Sequence, residues 1–278
     1  MLTRTSRLLL GVVISFSFCA VSFAQNPKEK VHYFSIAPEV SRYEYKEPGI
    51  MKLSGTMVGF SAEYLNSGGV GRIGKSVPIQ LRARVNHMYG ELDYDGGLQD
   101  MHGNYMGPYK SSRNRNQFID MIFAGGLEFK LTEGFSVSPY LGVGYRYLVD
   151  KADGEYYGFI YVRGHKREQT YYYIPVGLNW KISPAPGWRL TLNNEFDYLV
   201  RGENTTTTYH PTEEISFRQT SGYGFRSAVK VERDLRSVGL FAEPFFRYWN
   251  IKESNVVNGW VEPKNRTQEY GLRIGVSF

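Results

Sequence analysis

Apolar and polar residues alternate with a period of two through most of the chain, and this alternation constrains the fold more than any other feature. In residues 188–201, Trp188 and Leu190 alternate with Arg189 and Thr191, and the pattern continues to the end of the segment. Successive side chains of a β-strand point to opposite faces, so the pattern predicts strands with one apolar and one polar face. The alternation occurs in ten segments, at residues 33–45, 56–65, 77–90, 118–131, 135–149, 172–182, 188–201, 222–233, 238–249 and 270–278.

Strand length and loop length decide between two all-β architectures, the soluble sandwich and the membrane barrel. The segments often run for 12–18 residues, whereas strands of soluble proteins are usually about 5–6 residues long. Short connections near 132–134, 183–187 and 234–237 alternate with mostly long ones, which is the pattern of a bacterial outer-membrane barrel. We therefore predict a transmembrane antiparallel up-and-down β-barrel whose apolar face meets lipid. Ten strands are expected, with eight or twelve as alternatives.

The N-terminus predicts export from the cytoplasm. Arg4 and Arg7 precede the apolar run LLLGVVISFSFCAVSFA, which ends in small residues. These are the parts of a cleaved secretory signal peptide over residues 1–24, and an N-terminal membrane anchor is the alternative. Cleavage removes Cys19 and lowers the formal net charge from +6 to +4, because Arg4 and Arg7 go with the segment. This mild charge argues against a nucleic-acid partner. We expect residues 25–278 to form the barrel in the outer membrane of a Gram-negative bacterium.

Charged residues occupy the face opposite to lipid and therefore fill the predicted barrel interior. Both signs are present in similar numbers, as Glu39, Asp120, Arg146 and Arg226 illustrate. Unpaired charges in a narrow interior are costly, so we expect mutual ion pairs and a lumen blocked by side chains. Ten strands are fewer than the roughly 16–18 that leave an aqueous channel. A narrow selective pore stays open as an alternative function.

Two loop segments carry a candidate catalytic set. Asp93 and Asp95 follow the third predicted strand, and His210 stands in a later loop. Alternation points both carboxylates the same way at a strand end, where two carboxylates can share a proton or hold a water. In strand number, loop alternation, length and terminal phenylalanine, the chain resembles the omptins, a family of ten-stranded outer-membrane endopeptidases.

The resemblance implies a role for each of these residues. Asp93 and Asp95 would position the attacking water, and His210 would act as the base. In omptins an aspartate orients the histidine, but Thr208 stands at the matching position here. Threonine supplies no negative charge, and loss of the orienting carboxylate in a catalytic triad lowers the rate strongly. The catalytic set is therefore incomplete.

The loop composition favours a surface protein without enzymatic activity, and an omptin-like endopeptidase is the runner-up. The loops are rich in tyrosine, asparagine, arginine and lysine, which suits contacts with lipopolysaccharide, glycans or a host protein. Basic loop residues such as Lys110, Arg115 and Arg167 are candidates for binding lipid phosphates. The histidines have no zinc-binding spacing, so neither a metal nor a cofactor is expected.

The last strand predicts how the protein reaches its membrane. Tyr270, Ile274, Val276 and Phe278 lie on its apolar face, and Phe278 ends the chain. A terminal aromatic residue on such a strand resembles the signal that the outer-membrane barrel-assembly machinery recognises. We expect these four residues to direct insertion, and the strand to close the barrel against the first strand.

Overall fold

The structure is a computed structural model that describes residues 31–74, 77–99, 105–208 and 213–278, and the expected signal peptide over residues 1–24 lies outside them. The described residues form fourteen β-strands: β1 (His32–Glu47), β2 (Met51–Ile73), β3 (Val77–Gln99), β4 (Tyr105–Leu127), β5 (Phe129–Thr132), β6 (Phe135–Ala152), β7 (Glu155–Tyr157), β8 (Ile160–Val162), β9 (His165–Ile182), β10 (Trp188–Thr208), β11 (Glu213–Gln219), β12 (Gly222–Leu235), β13 (Val238–Ile251) and β14 (Asn265–Ser277). Within these ranges, no helix is long and apolar enough to cross a membrane.

Ten antiparallel strands close into one barrel. β4 and β5 form a single barrel strand interrupted at Glu128, and β11 and β12 form another. β14 pairs with β1, and there the Phe278 N–H donates to the Phe34 carbonyl at 2.8 Å. The predicted all-β fold, the ten barrel strands and the closure of the last strand on the first are confirmed. β7 and β8 form a separate two-stranded hairpin.

Several strands extend beyond the segments that the alternation predicts. β4 begins at Tyr105 rather than at residue 118, and β10 continues to Thr208. Both extensions pair with their neighbours, with register shifts at Leu92–Tyr94 and Leu98–Gln99 on β3 and at Leu199–Arg201 on β10. Polar residues occupy both faces of these extensions, and a strand with two polar faces gives no period-two signal. The sequence therefore placed in loops what the structure shows as projecting sheet.

The outer surface carries an apolar band between two aromatic belts. We call the barrel end with Phe34 and Phe278 the terminal end and the opposite end the loop end. The belt near the loop end consists of Tyr89, Tyr145, Tyr172, Tyr198, Tyr223, Tyr248 and Tyr270. The belt near the terminal end consists of Phe34, Phe135, Trp180, Trp188 and Phe278. Tyrosine and tryptophan favour the boundary between hydrocarbon and water, so the band has the outer face of a membrane barrel.

Ion pairs fill the middle of the barrel interior. The lumen charge layer consists of Glu39, Arg84, Asp120, Arg146, Glu195, Asp197, Arg226, Glu243, Arg247, Glu269 and Arg273. Arg226 is its hub, with Nη2 at 2.8 Å from Asp120 and Nε at 2.6 Å from Asp197. Arg273 Nε lies 2.7 Å from Glu39, across the seam between β14 and β1. The expected mutual pairing of the interior charges is confirmed.

An apolar layer lies between the lumen charge layer and the loop end. This aromatic layer includes Tyr43, Leu53, Met57, Met88, Leu92, Phe118, Leu148, Tyr171, Tyr173, Leu199 and Trp249. Phe118 and Trp249 are almost fully buried, and Arg146 and Arg226 stack on their rings from the charged side. A cavity beside this layer measures about 10 Å³, close to the minimum that holds one water. Side chains of the aromatic layer and of the lumen charge layer thus occupy the described barrel interior at these two levels.

Candidate functional site at the loop end

A buried ionic cluster lies where the barrel interior meets the loop end. We call Glu47, Asp150, Arg167 and Glu262 the mouth cluster, and all four side chains are buried. The Arg167 guanidinium pairs with Glu47 on β1, with Asp150 on β6 at 3.3 Å, and with Glu262 at 3.5 Å. Three carboxylates thus share one guanidinium, and a further basic group, the His165 imidazole, lies 3.7 Å from Asp150.

Glu262 reaches the mouth cluster from the connection between β13 and β14, residues 252–264, which we call the cap loop. The cap loop is an ordered hairpin: the Val257 N–H donates to the Trp260 carbonyl at 2.8 Å and the Trp260 N–H donates back at 2.9 Å. Asn258 and Gly259 at its tip both have positive φ, as a two-residue hairpin turn requires. Ser254 Oγ also accepts from the Glu262 N–H at 2.9 Å. These bonds fix the loop so that Glu262 points into the mouth.

The environment of Glu262 changes its proton affinity. Burial raises the pKa of Glu262 to about 7, and the charge of Glu47 adds to the rise while Arg167 opposes it. A carboxyl with such a pKa changes charge near neutrality, whereas an exposed glutamate is ionised there. The docking of the cap loop is therefore coupled to protonation at this position.

The carboxylates of the candidate catalytic set lie on the outside of the barrel. Asp93 and Asp95 both point outward from β3 and are exposed. Leu92, which precedes them, and Tyr94, which lies between them, face the interior. Asp95 Oδ2 lies 3.0 Å from Lys110 Nζ on β4. His210 lies outside the described residues, so the catalytic assignment of Asp93, Asp95 and His210 stays a prediction.

A group of cations lies on the outer surface, at the tyrosine belt and beyond it toward the loop end. We call Arg42, Lys46, Lys52 and Arg266 the basic row. Lys46 is the direct cross-strand partner of both Arg266 and Lys52, and Arg42 is opposite Tyr270 of the belt. Glu44 pairs with Lys46 at 3.1 Å, and the other three cations have no carboxylate within 4 Å among the described residues. Like charges on adjacent strands repel one another, and Asp95 on β3 lies directly opposite Lys52 on the other side.

Some basic residues that the sequence suggested for lipid contact are already paired. Lys110 is bound to Asp95, and Arg115 Nη2 lies 2.6 Å from Asp153. The suggestion for Arg167 is wrong, because its side chain points into the mouth and is buried. The residue lies in β9 rather than in a loop, so strand alternation decides its direction.

The hairpin of β7 and β8 presents aromatic residues beyond the barrel. The Tyr109 hydroxyl donates to Glu155, and its ring meets that of Tyr157 edge-on at 5.5 Å. Burial and this hydrogen bond raise the pKa of Tyr109 to about 12. Phe159 at the tip is fully exposed. The hairpin is thus tied to β4 at its base and offers an apolar tip to solvent.

Sequence reasoning missed the mouth cluster and the cap loop. Glu47 ends β1 and faces inward. The Asn-Gly pair at 258–259 is a known signal for a tight hairpin and would have predicted the ordered cap loop. Nothing local in the sequence indicates that Glu262 meets Arg167, since strand closure brings them together. In the part of the chain that the structure describes, no cluster of histidine, cysteine and acidic residues is arranged to hold a metal ion.

Comparison with solved structures agrees with the architecture. The outer membrane protease OmpT from Escherichia coli superposes with a TM-score of 0.61 at 10% identity, over 89% of this chain and 96% of that chain. The fold is that of an outer-membrane β-barrel. A major outer membrane protein from Thermus thermophilus matches with a TM-score of 0.42 at 13% identity, over 90% of this chain and 99% of that chain. The toluene transporter TbuX from Ralstonia pickettii matches with a TM-score of 0.40 at 8% identity, over 90% of this chain and 89% of that chain.

Sequence comparisons add no family to this result. No family model matches the chain, and no curated protein matches it. At this level of identity the likeness to OmpT concerns the fold alone.

Proposed function

We propose that the chain is an integral outer-membrane protein with a sealed lumen, which acts at the cell surface without catalysis and binds phosphorylated glycolipid such as lipopolysaccharide. The basic row carries this proposal. Arg42 lies level with Tyr270 of the tyrosine belt, and Lys46, Lys52 and Arg266 lie beyond the belt toward the loop end. Ammonium and guanidinium groups bind phosphate through charge-assisted hydrogen bonds. The remaining loop surface, with Phe159 and Trp260 exposed, suits contact with an extracellular ligand.

The proposed membrane location has independent support in the outer surface. An apolar band between two aromatic belts is the surface that a lipid bilayer requires, and the fold is shared with OmpT. Export through a signal peptide over residues 1–24 and recognition of Tyr270, Ile274, Val276 and Phe278 by the assembly machinery belong to the same proposal. All four of these last residues face outward on β14 or at its end.

Binding to lipopolysaccharide tests the proposal. Replacing three cations of the basic row together, Lys46→Gln, Lys52→Gln and Arg266→Gln, removes about 1 kcal/mol of attraction per charge at an anionic membrane surface. We expect binding of refolded protein to lipopolysaccharide to fall by at least about tenfold. The matched control is Lys110→Gln, Arg115→Gln and Arg201→Gln, which removes the same charge from cations already paired with Asp95, Asp153 and Glu203.

The two triple variants separate a phosphate site from general charge attraction. Equal loss of binding in both would contradict the assignment of the basic row. Dephosphorylated lipopolysaccharide should bind wild-type protein about as weakly as the first triple variant binds the phosphorylated form. Tight binding to the dephosphorylated form would show that phosphate is not what the row recognises.

An omptin-like endopeptidase is the second candidate. Its support is the superposition on OmpT over 96% of that chain, together with Asp93 and Asp95 at the loop end of β3. Against it stand the outward direction of both carboxylates and the ion pair of Asp95 with Lys110. A fluorogenic dibasic peptide with lipopolysaccharide present distinguishes the candidates. The sealed surface protein gives no cleavage, whereas cleavage that disappears in Asp93→Asn and His210→Ala would establish the enzyme.

A further inference from the structure

A polar pair interrupts the apolar band on the outer surface. The outward residues of β10 include Leu192, Asn194 and Phe196, and Asn194 is therefore flanked by apolar side chains on its own strand. The register of β10 and β12 places Asn194 directly opposite Ser227, whose neighbours Phe225 and Val229 are also outward and exposed. Ser227 Oγ donates to Asn194 Oδ1 at 3.1 Å. The pair lies between the two aromatic belts.

The pair leaves hydrogen-bonding capacity unused in a place without water. A carboxamide has two N–H donors and an oxygen with two lone pairs, and Ser227 occupies only one lone pair. Among the described hydrogen bonds, none uses Asn194 Nδ2. In hydrocarbon, a donor without a partner costs free energy. Polar side chains inside a membrane accordingly mark functional contacts. Both Asn194 and Ser227 are half-buried, so a partner can reach the amide.

We propose that this face of β10 and β12 is the interface with a second copy of the chain. A two-fold axis beside Asn194 lets each carboxamide donate from Nδ2 to Oδ1 of the other copy, on the lone pair that Ser227 leaves free. A two-fold contact requires a self-complementary patch, and an amide with a donor and an acceptor is self-complementary where a charged group is not. The flanking Leu192, Phe196 and Val229 are uncharged and exposed, so they pack against the same residues across the axis.

The inference rests on the proposed membrane location, and cysteine cross-linking in isolated outer membranes tests it. In a Cys19→Ser background, Leu192→Cys places a thiol two residues from Asn194. Val58→Cys is the matched control, because Val58 is an exposed outward residue of β2, on the other side of the barrel. With a thiol-specific linker, we expect at least about tenfold more product of twice the monomer mass from Leu192→Cys than from Val58→Cys.

A second substitution tests the amide itself. Asn194→Leu in the Leu192→Cys background removes the hydrogen bonds and leaves an apolar face that lipid solvates well. Since interhelical polar contacts in membranes contribute about 0.6 kcal/mol each on average, two reciprocal bonds predict a fall in dimer yield of about three- to tenfold. Asn194→Leu protein that still shows the heat-modifiable shift of a folded barrel makes this fall attributable to the interface.

The outcomes separate the interface from the membrane location. Equal, low cross-linking of both cysteine variants in membrane-inserted protein overturns the interface and leaves the location standing. A cross-linked product whose mass is not twice that of the monomer shows a different membrane protein and overturns the second copy. Undiminished dimer in Asn194→Leu overturns the role of the amide. A chain absent from the membrane fraction overturns both proposals.

Discussion

The lumen charge layer and the mouth cluster are both buried ionic networks, but they differ in how their charges balance. In the lumen charge layer, guanidiniums and carboxylates interleave, and every member belongs to a strand. In the mouth cluster, three carboxylates share Arg167, and Glu262 comes from a loop. The first network is held in place by the backbone pairing of the barrel strands. The second depends on the docking of the cap loop and on a proton.

The difference shows which part of the molecule can respond to conditions. The lumen charge layer has six carboxylates to five guanidiniums, all on paired strands, so no loop movement can relieve it and its loss damages the whole barrel. A network with surplus carboxylate is relieved either by a proton or by movement of the loop. We therefore expect large global effects from the lumen charge layer and smaller, local, pH-dependent effects from the mouth cluster.

Arg226→Met should give the largest effect. It leaves Asp120 and Asp197 buried without their main cation, and breaking a buried pair in this way costs about 3–5 kcal/mol. The unfolding midpoint in urea, followed by the heat-modifiable gel shift in detergent, measures the loss. Arg201→Met is the control, since Arg201 and Glu203 pair on the exposed surface, and no measurable change is expected there. An unchanged urea midpoint in Arg226→Met would mean that the lumen charge layer does not stabilise the barrel.

Arg167→Met should release the cap loop without unfolding the barrel. The substitution removes the guanidinium that the three carboxylates share and that stacks on the Tyr45 ring. We expect trypsin to cut at Lys252 and Lys264 at least about tenfold faster, because the open loop becomes more populated. The heat-modifiable shift should stay. If the cap loop of Arg167→Met resists trypsin as well as that of the wild type, Arg167 does not anchor the loop.

The pH dependence of the cap loop follows from the raised pKa of Glu262. The docked carboxyl has a pKa of about 7, above the value of about 4.3 for a free glutamate, so docking binds a proton. This contribution is fully present below the free value and is lost as the pH rises to about 7. Tryptic cleavage at Lys264 should therefore increase relative to a reference substrate between about pH 5 and about pH 8. Glu262→Gln, which stays neutral, should remove that dependence.

Asp95→Asn should give the smallest effect. Its pair with Lys110 is exposed on both sides, and exposed pairs contribute about 1 kcal/mol or less. The urea midpoint should stay close to that of the wild type, at low and at high salt. A large loss of stability would show that the outer face of β3 has a structural role that its exposure does not reveal.

The sequence predicts most of the barrel because its rules are local. The alternation in 188–201 and 270–278 fixes which side chains face lipid, and ten such segments fix the strand count. The sequence also predicts ion pairs in the barrel interior. It does not predict which carboxylates Arg226 pairs with, because barrel curvature and strand register decide that. The alternation did not predict the projecting ends of β4 and β10, because both faces of these extensions are polar. The sequence did not predict the mouth cluster, because Glu47, Arg167 and Glu262 are distant in sequence and meet only when the barrel closes.

Single-channel recording in planar bilayers tests most directly the claim that the lumen is sealed. Below the cap loop, the aromatic layer and the lumen charge layer still occupy the barrel interior. Refolded protein should therefore give no conductance steps at about pH 5 or at about pH 9, on either side of the Glu262 transition. The Arg167→Met variant should also give no conductance steps. Reproducible steps in the wild type, or steps that appear when the cap loop is released, would contradict a sealed barrel and favour a gated pore.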